Sequence, residues 1–475
     1  MSLLIPGTNS IKDTGYDVAN SCRFNDGSSD TLSRTPSSTG SNKTWTYSAW
    51  VKRTAVGTWG GILDAGDGSS WTDIYFFSSD KLTLRHYTSG STPIYFETNR
   101  LFRDPSAWVH VVVAVDTTQS TESNRVKIYV NGSQVTSFSS ATYPSLNYDT
   151  YVNSTNEHRI GISKGTGGGS NYFDGYLAEV CLIDGTALDP TSFGEFDSDS
   201  PNIWKPKDVS GLTFGTNGFY LDFQDSSALG NDVSGNNNDY TANNLTSLDQ
   251  STDTCTNNFA ILNPLYHYIG GATLSEGNLK FTTSGNSSVG RGMSTIRPES
   301  GKWYVECKII DVTRFAFGLM NGNETNDSQG GNDTNSVIFG YDGGFFMAGS
   351  FSGYLSAPSN NDIVQLALDL DNDLFWIGVN DTWGNSATRT QIENGTASND
   401  ATTFISSKVP INTGAIGIFV EDNSSTGNNV SEINFGSPSY SISSGNSDGN
   451  GYGNFEYAVP SGYYALNTKN LAEFG

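Results

Sequence analysis

The run Trp108-Val-His-Val-Val-Val-Ala-Val-Asp116, followed after a polar loop by Val126-Lys-Ile-Tyr-Val-Asn-Gly132, decides the fold of the first half of the chain. Side chains of a β-strand point alternately to opposite faces of the sheet. The alternate valines of the first run therefore share one face, as do Val126, Ile128 and Val130 of the second. This spacing predicts an antiparallel hairpin, and the terminal Asn-Gly predicts a further chain reversal.

The second half of the chain carries a hairpin of the same kind. From Val364 to Leu370, apolar residues alternate with polar ones, and Phe375 to Asp381 forms a second strand-like run. Asn372-Asp373 between the two runs is typical of a turn. Each half is therefore predicted to be a β-rich unit centred on one long hairpin.

Composition favours an all-β fold over a helical or mixed one. The chain has 475 residues, 53 glycines and 12% aromatic residues, and no apolar pattern with a helical period is sustained. We predict two antiparallel β-sandwich (jelly-roll) domains joined by a Ser/Asn/Gly-rich connector. The predicted boundaries are residues 1–196 for the first sandwich, 197–264 for the connector with short strands, and 265–475 for the second sandwich with an aromatic C-terminal tail.

Charge and cysteine usage exclude several classes of protein. The net charge is −24 with a sequence pI near 4.3, and no basic cluster is present, which disfavours nucleic acids and anionic membranes as partners. The longest apolar run, Val109 to Val115, is too short to span a bilayer, and the N-terminal residues do not form a secretory signal. The four cysteines are too widely spaced for a metal motif and are predicted to be free thiols.

Glycoside hydrolases act through a pair of carboxylates that flank the scissile bond. The nearest match to a Glu-x-Asp-x-Glu strand is Glu195-Phe-Asp197-Ser-Asp199. It ends in Asp and lies in a Ser/Asp/Pro-rich stretch, so a solvated linker is predicted. The sequence therefore predicts no catalytic residues and no enzyme.

Metal sites have weak support in the sequence. Asp369-x-Asp371-x-Asp373 lacks the glycine and the final carboxylate of an EF-hand loop, so it is predicted to be a hairpin turn with solvated acids. The four histidines form no zinc motif. No cofactor is predicted, with one alternative left open: Asp64 and Asp67, in Leu63-Asp-Ala-Gly-Asp-Gly68, are candidates for Ca²⁺.

Aromatic residues in polar loops are the positive candidates for ligand binding. Aromatic rings stack on the C–H faces of sugars, while Asn and Asp bond to hydroxyl groups. Trp59 and Trp71 lie in Gly/Ser/Thr-rich stretches, and Tyr87 and Tyr354 have comparable settings. The alternative for each is packing in the core or in an interface.

Four strand-like pieces follow one another within residues 20 to 195: Trp108-Val-His-Val-Val-Val, Val126 to Gly132, Ile160-Gly-Ile, and Phe173-Asp-Gly-Tyr-Leu-Ala-Glu-Val180. In this order they resemble the laminin-G/pentraxin branch of the concanavalin A-like jelly rolls. The resemblance implies two curved antiparallel sheets packed face to face. It also implies recognition of glycans or proteins, in some members with calcium at the rim of the sheet.

Residues 265 to 440 resemble the SPRY domain, another sandwich of two sheets that recognises proteins through loops at one end. The pieces that carry this resemblance are Gly301-Lys-Trp-Tyr-Val-Glu-Cys-Lys-Ile, Phe315-Ala-Phe-Gly-Leu-Met, Ile338 to Gly343, Asp362 to Asp381, and Glu432-Ile-Asn-Phe-Gly436.

Four short motifs resemble structural proteins of tailed bacteriophages. They are Leu4 to Asp17, Asn202-Ile-Trp-Lys-Pro-Lys207, Thr256-Asn-Asn-Phe-Ala-Ile-Leu-Asn-Pro264 and Ala465-Leu-Asn-Thr-Lys-Asn-Leu471. The resemblance implies assembly in the bacterial cytoplasm, a place on the virion surface, other virion proteins as partners, and a homo-oligomer such as a trimer.

Three functions are therefore expected, in decreasing order of support from the sequence. The first is a fibre or appendage subunit that binds host polysaccharide or lipopolysaccharide through lectin-like domains. The second is a purely structural capsid or tail decoration protein that binds no ligand. The third is a glycan hydrolase.

Overall fold

The two hairpins lie in separate units, residues 14–256 and residues 257–475, in the computed structural model of the chain. Each unit is a β-sandwich, which confirms the predicted all-β class. The structure describes residues 15–164, 171–266, 271–283, 290–321, 330–331, 335–347, 349–401, 414–422 and 428–475.

The first unit is built from short strands that follow one another closely along the chain. The strands are β1 (Ser21–Phe24), β2 (Thr31–Arg34), β3 (Thr44–Arg53), β4 (Gly60–Gly66), β5 (Trp71–Phe76), β6 (Lys81–Thr88), β7 (Ser91–Leu101), β8 (Trp108–Asp116), β9 (Val126–Val130), β10 (Ser133–Gln134), β11 (Phe138–Thr142), β12 (Glu157–Ile160), β13 (Ile162–Ser163), β14 (Asn171–Tyr172), β15 (Gly175–Asp184), β16 (Gly194–Phe196), β17 (Trp204–Pro206), β18 (Phe219–Leu221), β19 (Thr241–Asn243) and β20 (Gln250–Ser251).

Two sheets face each other in this unit. The first sheet has the order β10-β9-β8-β3-β15-β1-β20, with β18 also paired to β15, and the second sheet has the order β11-β7-β6-β5-β4-β12-β2-β19. Two further pairs, β13-β14 and β16-β17, stand apart from them.

The predicted central hairpin is present as β8 and β9. Val111 lies opposite Val130 and Val115 opposite Val126 in an antiparallel register. The odd-numbered valines of β8 point into the core, where they meet side chains of the second sheet such as Ile74. Burying one such side chain contributes about 2 kcal/mol to folding.

The predicted connector, residues 197–264, is not a separate segment. Up to Thr256 it belongs to the first unit, because β18 pairs with β15, β19 with β2 and β20 with β1. Its Asp253 accepts hydrogen bonds from the buried Lys52 ammonium (2.6 Å) and from the Trp108 indole (3.0 Å). A buried ammonium group needs an anionic partner. The polar composition of residues 197–264 did not indicate that this stretch would supply the partner of Lys52.

The outer face of the first sheet is covered by chain that follows β15. Val112, Cys181 and Ile183 of that face are buried under Phe193 and Phe214. This face is therefore part of the packed interior, whereas the outer face of the second sheet carries polar side chains.

The second unit repeats the two-sheet plan. Its strands are β21 (Thr273–Ser275), β22 (Lys280–Thr282), β23 (Arg291–Met293), β24 (Lys302–Asp311), β25 (Phe315–Asn321), β26 (Ser336–Gly340), β27 (Gly344–Met347), β28 (Ser350–Gly353), β29 (Ile363–Asp369), β30 (Leu374–Val379), β31 (Thr382–Trp383), β32 (Ile416–Asp422), β33 (Val430–Asn434) and β34 (Tyr464–Ala465).

The third sheet has the order β21-β22-β33-β24-β29-β30-β31, and the fourth sheet has the order β23-β32-β25-β26-β27-β28. The predicted hairpin is β29 and β30, with Leu368 opposite Phe375. The aromatic tail packs back on the third sheet, where Phe455 lies 5.0 Å from Tyr304 between ring centroids and β34 pairs in parallel with β24.

Helical structure is confined to short pieces in the described residues. After β15 the chain forms a 3₁₀-helix, Pro190–Ser192, in which the Asp189 carboxylate accepts a hydrogen bond from Thr191 N. Two α-helices of the described residues, α1 (Arg389–Glu393) and α2 (Thr468–Phe474), lie in the second unit. The described chain also has four further 3₁₀-helices of three residues each, which are Glu122–Asn124, Ser247–Asp249, Gly384–Ser386 and Ala397–Asn399. None of the described helices has the length and apolarity needed to span a membrane. All four cysteines are free thiols, as predicted.

Candidate functional site

Cross-strand pairing places one row of polar side chains across the outer face of the second sheet. Alternation in β5, β6 and β7 turns Ile74, Leu84 and Phe96 into the core and their neighbours outward. Each of the eight strands contributes one residue to the row, in the order Thr142, Tyr95, Arg85, Asp73, Asp64, Arg159, Ser33 and Thr241.

The middle of the row consists of two ion pairs. Arg85 binds Asp73 through two nitrogens, at 3.1 Å from Nε and 2.6 Å from Nη2, and Arg159 binds Asp64. Asp64 and Asp73 lie directly opposite each other, a pairing of like charges that destabilises a sheet. An arginine outside each carboxylate offsets that repulsion.

The chain after β12 supplies further donors to the same carboxylates. Ser163 Oγ donates to Asp73 at 2.6 Å, and Lys164 N donates to Asp64 at 3.2 Å. Burial, together with the charge of Asp73, raises the pKa of Asp64 to about 6. Burial also raises the pKa of Asp73, although Arg85 opposes the shift. The carboxylates thus serve to fix the two guanidinium groups.

Aromatic rings flank these charges on the same face. Trp71 and Tyr87 stack at 4.5 Å between centroids, and the Arg85 guanidinium lies 5.3 Å from the Trp71 ring and 4.8 Å from the Tyr75 ring. Trp59 stacks on Tyr75 at 5.3 Å with the two planes almost parallel. The face therefore combines flat apolar surfaces with fixed hydrogen-bonding groups.

Three of the four predicted ligand-binding residues meet on this face. Trp59 and Tyr87 are half-buried, whereas Trp71 begins β5 and is only 4% exposed. Trp71 was predicted in a loop because Gly66 to Ser70 precede it. Its burial arises from Tyr87, which only the strand register brings beside it.

The fourth predicted residue, Tyr354, lies in the second unit. Its ring packs at 4.5 Å from Phe345 and fills the space above Gly384, where a Cβ atom would lie 1.9 Å from the ring. These contacts are those of a packed side chain, which is the alternative predicted for Tyr354 from the sequence.

The two predicted calcium ligands face different surroundings. Asp64 lies at the centre of the ion-pair row, whereas Asp67 follows β4 and is exposed. Asp67 accepts hydrogen bonds from Ser69 Oγ at 2.8 Å and from Ser69 N and Ser70 N at 2.9 Å, and these bonds lower its pKa. Within the described ranges, no group of three His, Cys, Asp or Glu residues is arranged to hold a metal ion.

Two acidic motifs differ from the prediction. Glu195 belongs to β16, which pairs with β17, so it lies in a small sheet and not in a linker. Asp369 is fully buried and binds Lys302 Nζ at 2.8 Å, so it is not solvated. Glu195 is exposed, as expected, whereas the burial of Asp369 was not visible in its local run of polar residues.

Three of the four histidines lie in the described residues and are packed in the interior. His86, His110 and His158 are buried, and burial lowers their pKa values to about 4, 3 and 4. His267 lies outside the described residues.

Sequence reasoning missed Arg85, Asp73, Tyr75 and Arg159. A signal for the first three was present, since Trp71-Thr-Asp-Ile-Tyr75 and Leu84-Arg-His-Tyr87 alternate with apolar residues. Arg159 carried no such signal, because its partner Asp64 is 95 positions away.

Comparison with known protein families gives a match within the first unit. Residues 26–191 match the family model described as the concanavalin A-like lectin/glucanases superfamily. No curated protein sequence matches the chain.

Several solved structures are similar to parts of the chain at low identity. The SPRY domain of human HERC1 is 14% identical, covers 34% of this chain and 91% of its own, and has a TM-score of 0.26. A SAP-like pentraxin from Limulus polyphemus is 18% identical, with 36% and 79% coverage and a TM-score of 0.26. A Bacteroides ovatus protein provisionally described as carbohydrate-binding is 16% identical, with 48% and 59% coverage and a TM-score of 0.33. The region from 26 to 191 thus has the fold and the family match of a concanavalin A-like lectin or glucanase domain.

Proposed function

We propose that this protein is a non-enzymatic fibre or appendage subunit of a tailed phage, which binds a host cell-surface glycan through the outer face of the second sheet. The observation that carries the proposal is the pair of half-buried aromatic rings, Trp59 and Tyr87, on the same face as Arg85 and Asp73. A lectin-like family match over residues 26–191 supports it.

The chemistry of this face fits a sugar. A pyranose presents an apolar C–H face, which packs on an aromatic ring, and a rim of hydroxyl groups, which need donors and acceptors. Trp59 supplies a ring, Arg85 supplies donors that point in a direction fixed by Asp73, and Tyr95 adds a hydroxyl group next to Arg85. Little side-chain entropy is lost on binding because the ion pairs already hold these groups.

The phage assignment rests on the four short motifs, and three of them have structural roles that a shared fold would retain. Trp204 of the second motif donates its indole N–H to His110 Nδ1 at 3.0 Å. The third and fourth motifs bond to each other, since Ala260 N donates to the Leu466 carbonyl at 3.0 Å and Thr468 N to the Asn258 carbonyl at 2.9 Å. In this proposal the protein lies on the virion surface, as a homo-oligomer among other virion proteins.

The glycan part is tested by binding of purified protein to host polysaccharide and lipopolysaccharide. Trp59→Ala is expected to weaken binding roughly tenfold, or ~1.4 kcal/mol, because it removes a stacking surface. Tyr129→Ala is the matched control, since Tyr129 is a half-buried ring of the first unit's first sheet. Equal binding by wild type and Trp59→Ala would contradict the glycan face and favour a purely structural decoration protein.

Two further measurements test the remaining parts. Release of reducing ends from host polysaccharide by the wild type but not by Glu195→Gln would assign a hydrolase. The virion part predicts that the protein is detected in purified phage particles by mass spectrometry, and its absence there would contradict that part.

A further inference from the structure

A pocket opens between the two sheets of the first unit, at the end where β3, β5 and β7 finish. Its volume is about 140 Å³. The side chains that line it are mostly apolar, namely Val51, Phe76, Leu101, Phe102, Ala107 and Val109. Arg53, Arg100, Arg103 and Asp104 complete its wall.

Three guanidinium groups meet here in a chain with a net charge of −24. Asp80 holds two of them, since it accepts hydrogen bonds from Arg53 Nη1 at 3.2 Å and from Arg103 Nε at 2.6 Å. Gly57 N donates to the same carboxylate at 2.6 Å. Burial opposes ionisation of Asp80, but these hydrogen bonds and the charge of Arg53 keep its pKa below the usual value.

The third arginine is not matched by an acid. Arg100 forms no ion pair with a carboxylate of the described residues, and its guanidinium lies 5.2 Å from the centre of the Phe102 ring. The Asp104 carboxylate bonds to Ser106. Its Oδ1 accepts hydrogen bonds from Ser106 N at 3.0 Å and from Ser106 Oγ at 2.6 Å. Arg100 is an exposed residue, but partial burial of its guanidinium group lowers its pKa, which is the direction expected for a cation that lacks an anion beside it.

The balance of charge at the pocket leaves one positive charge. Asp104 and Asp253 both act on the neighbouring Lys52, and Asp80 holds Arg53 and Arg103. Four cations thus face three carboxylates when Arg100 is included, so a monoanion would neutralise the remainder. A bound carboxylate also matches the fork of nitrogen donors of an arginine. The apolar wall indicates that the rest of the ligand is apolar, and a cavity of roughly 150 Å³ accommodates a molecule the size of benzene.

We propose that this pocket binds a small monocarboxylate with a ring-sized apolar body, the carboxylate on Arg100 and the body against Phe76, Phe102 and Val109. The site is separate from the glycan-binding face, because Phe76 points into the core whereas Tyr75 points outward. Failure of either proposal therefore leaves the other standing.

The test is titration of the full-length protein with sodium benzoate, followed by calorimetry or by ligand-observed NMR. A Kd on the order of 1 mM is expected for a ligand of this size. Benzamide, which has the same shape without the charge, and acetate, which has the charge without the ring, are each expected to bind at least ~10-fold more weakly.

Arg100→Gln is expected to raise the Kd for benzoate at least ~10-fold, since it removes the unpaired charge. Arg389→Gln, which removes a partly exposed arginine of the second unit, is the control and is expected to leave binding unchanged. Ala107→Phe, which fills the pocket and keeps all three arginines, is expected to abolish binding.

Three results would overturn the proposal: no binding of benzoate at concentrations up to about 10 mM, equal binding of benzamide and benzoate, or an unchanged Kd in Arg100→Gln. Far-ultraviolet circular dichroism of each variant separates loss of binding from loss of fold.

Discussion

The outer faces of the second and fourth sheets have the same position in their units but opposite chemistry. In the first unit this face carries two ion pairs and a set of aromatic rings that includes the half-buried Trp59 and Tyr87. In the second unit the corresponding face is mostly apolar, and Tyr266, Met320, Ile338 and Phe419 are buried there in one cluster.

An ion pair occurs on both faces, but its surroundings differ. In the second unit Arg291 pairs with Glu421, and both side chains are fully buried. Phe419 lies 5.0 Å from the Arg291 guanidinium, and Gly330 N donates to Glu421 at 2.9 Å. The carboxylates are fully buried in both units, but the Arg85 and Arg159 side chains keep 7% and 8% exposure, whereas Arg291 has none. The comparison teaches that this remaining exposure of the arginine decides whether a charged pair serves packing alone or can also present donors to a ligand.

The largest effect is expected when the buried pair of the second unit is broken. Arg291→Met should lower the free energy of unfolding of that unit by about 4 kcal/mol, because Glu421 would remain buried without its partner. Hydrogen exchange of the β32 amides reports on this unit. The double variant Arg291→Met/Glu421→Leu should recover most of the loss, and a double variant as unstable as the single one would contradict this account.

A smaller effect is expected from pH, since each unit contains a buried glutamate whose pKa is raised to about 7. Burial raises the pKa of Glu179 to about 7, partly opposed by hydrogen bonds from the hydroxyl groups of Tyr220 (2.8 Å) and Tyr16 (3.2 Å). Between the ordinary value of 4.5 and about 7, the folded state binds more protons than the unfolded state. The free energy of unfolding of the first unit should therefore fall by up to ~3 kcal/mol as the pH rises through this window.

Glu179→Gln should flatten that dependence, as measured by exchange of the β15 amides at pH 5 and pH 8 with correction for intrinsic rates. Glu306, whose pKa burial also raises to about 7, provides the control in the other unit. Glu306→Gln should flatten the dependence of the second unit only, and a first unit that responds equally to both variants would count against this explanation.

The smallest loss of stability is expected on the outer face of the second sheet. Arg85→Met should cost about 2 kcal/mol, less than Arg291→Met, because Asp73 keeps its hydrogen bond from Ser163. Glycan binding should be lost at the same time. A cost equal to that of Arg291→Met, measured by the same hydrogen-exchange method on β5, would show that the two faces are equally closed to solvent.

Alternation in the sequence was sufficient to predict both hairpins and most of the core. The valines of β8 and the leucines of β29 are the cases in which a period of two fixed the buried face. The same pattern in β5 and β6 contained part of the candidate site. Trp59, Trp71 and Tyr87 were identified from the polarity of their neighbours in sequence. That they lie on one face of the sheet depends on the pairing of residues 15 to 30 positions apart, which no local pattern encodes.

The sequence by itself determined the all-β class, the two units and the absence of a helical period, because these depend on neighbours two residues apart. Only the tertiary structure decided that Asp253 neutralises Lys52, that Arg159 pairs with Asp64 and that residues 197–256 complete the first sandwich. Buried charges must be paired wherever the chain can supply a partner. Since that partner can lie 201 positions away, its identity is a property of the fold and not of any stretch of sequence.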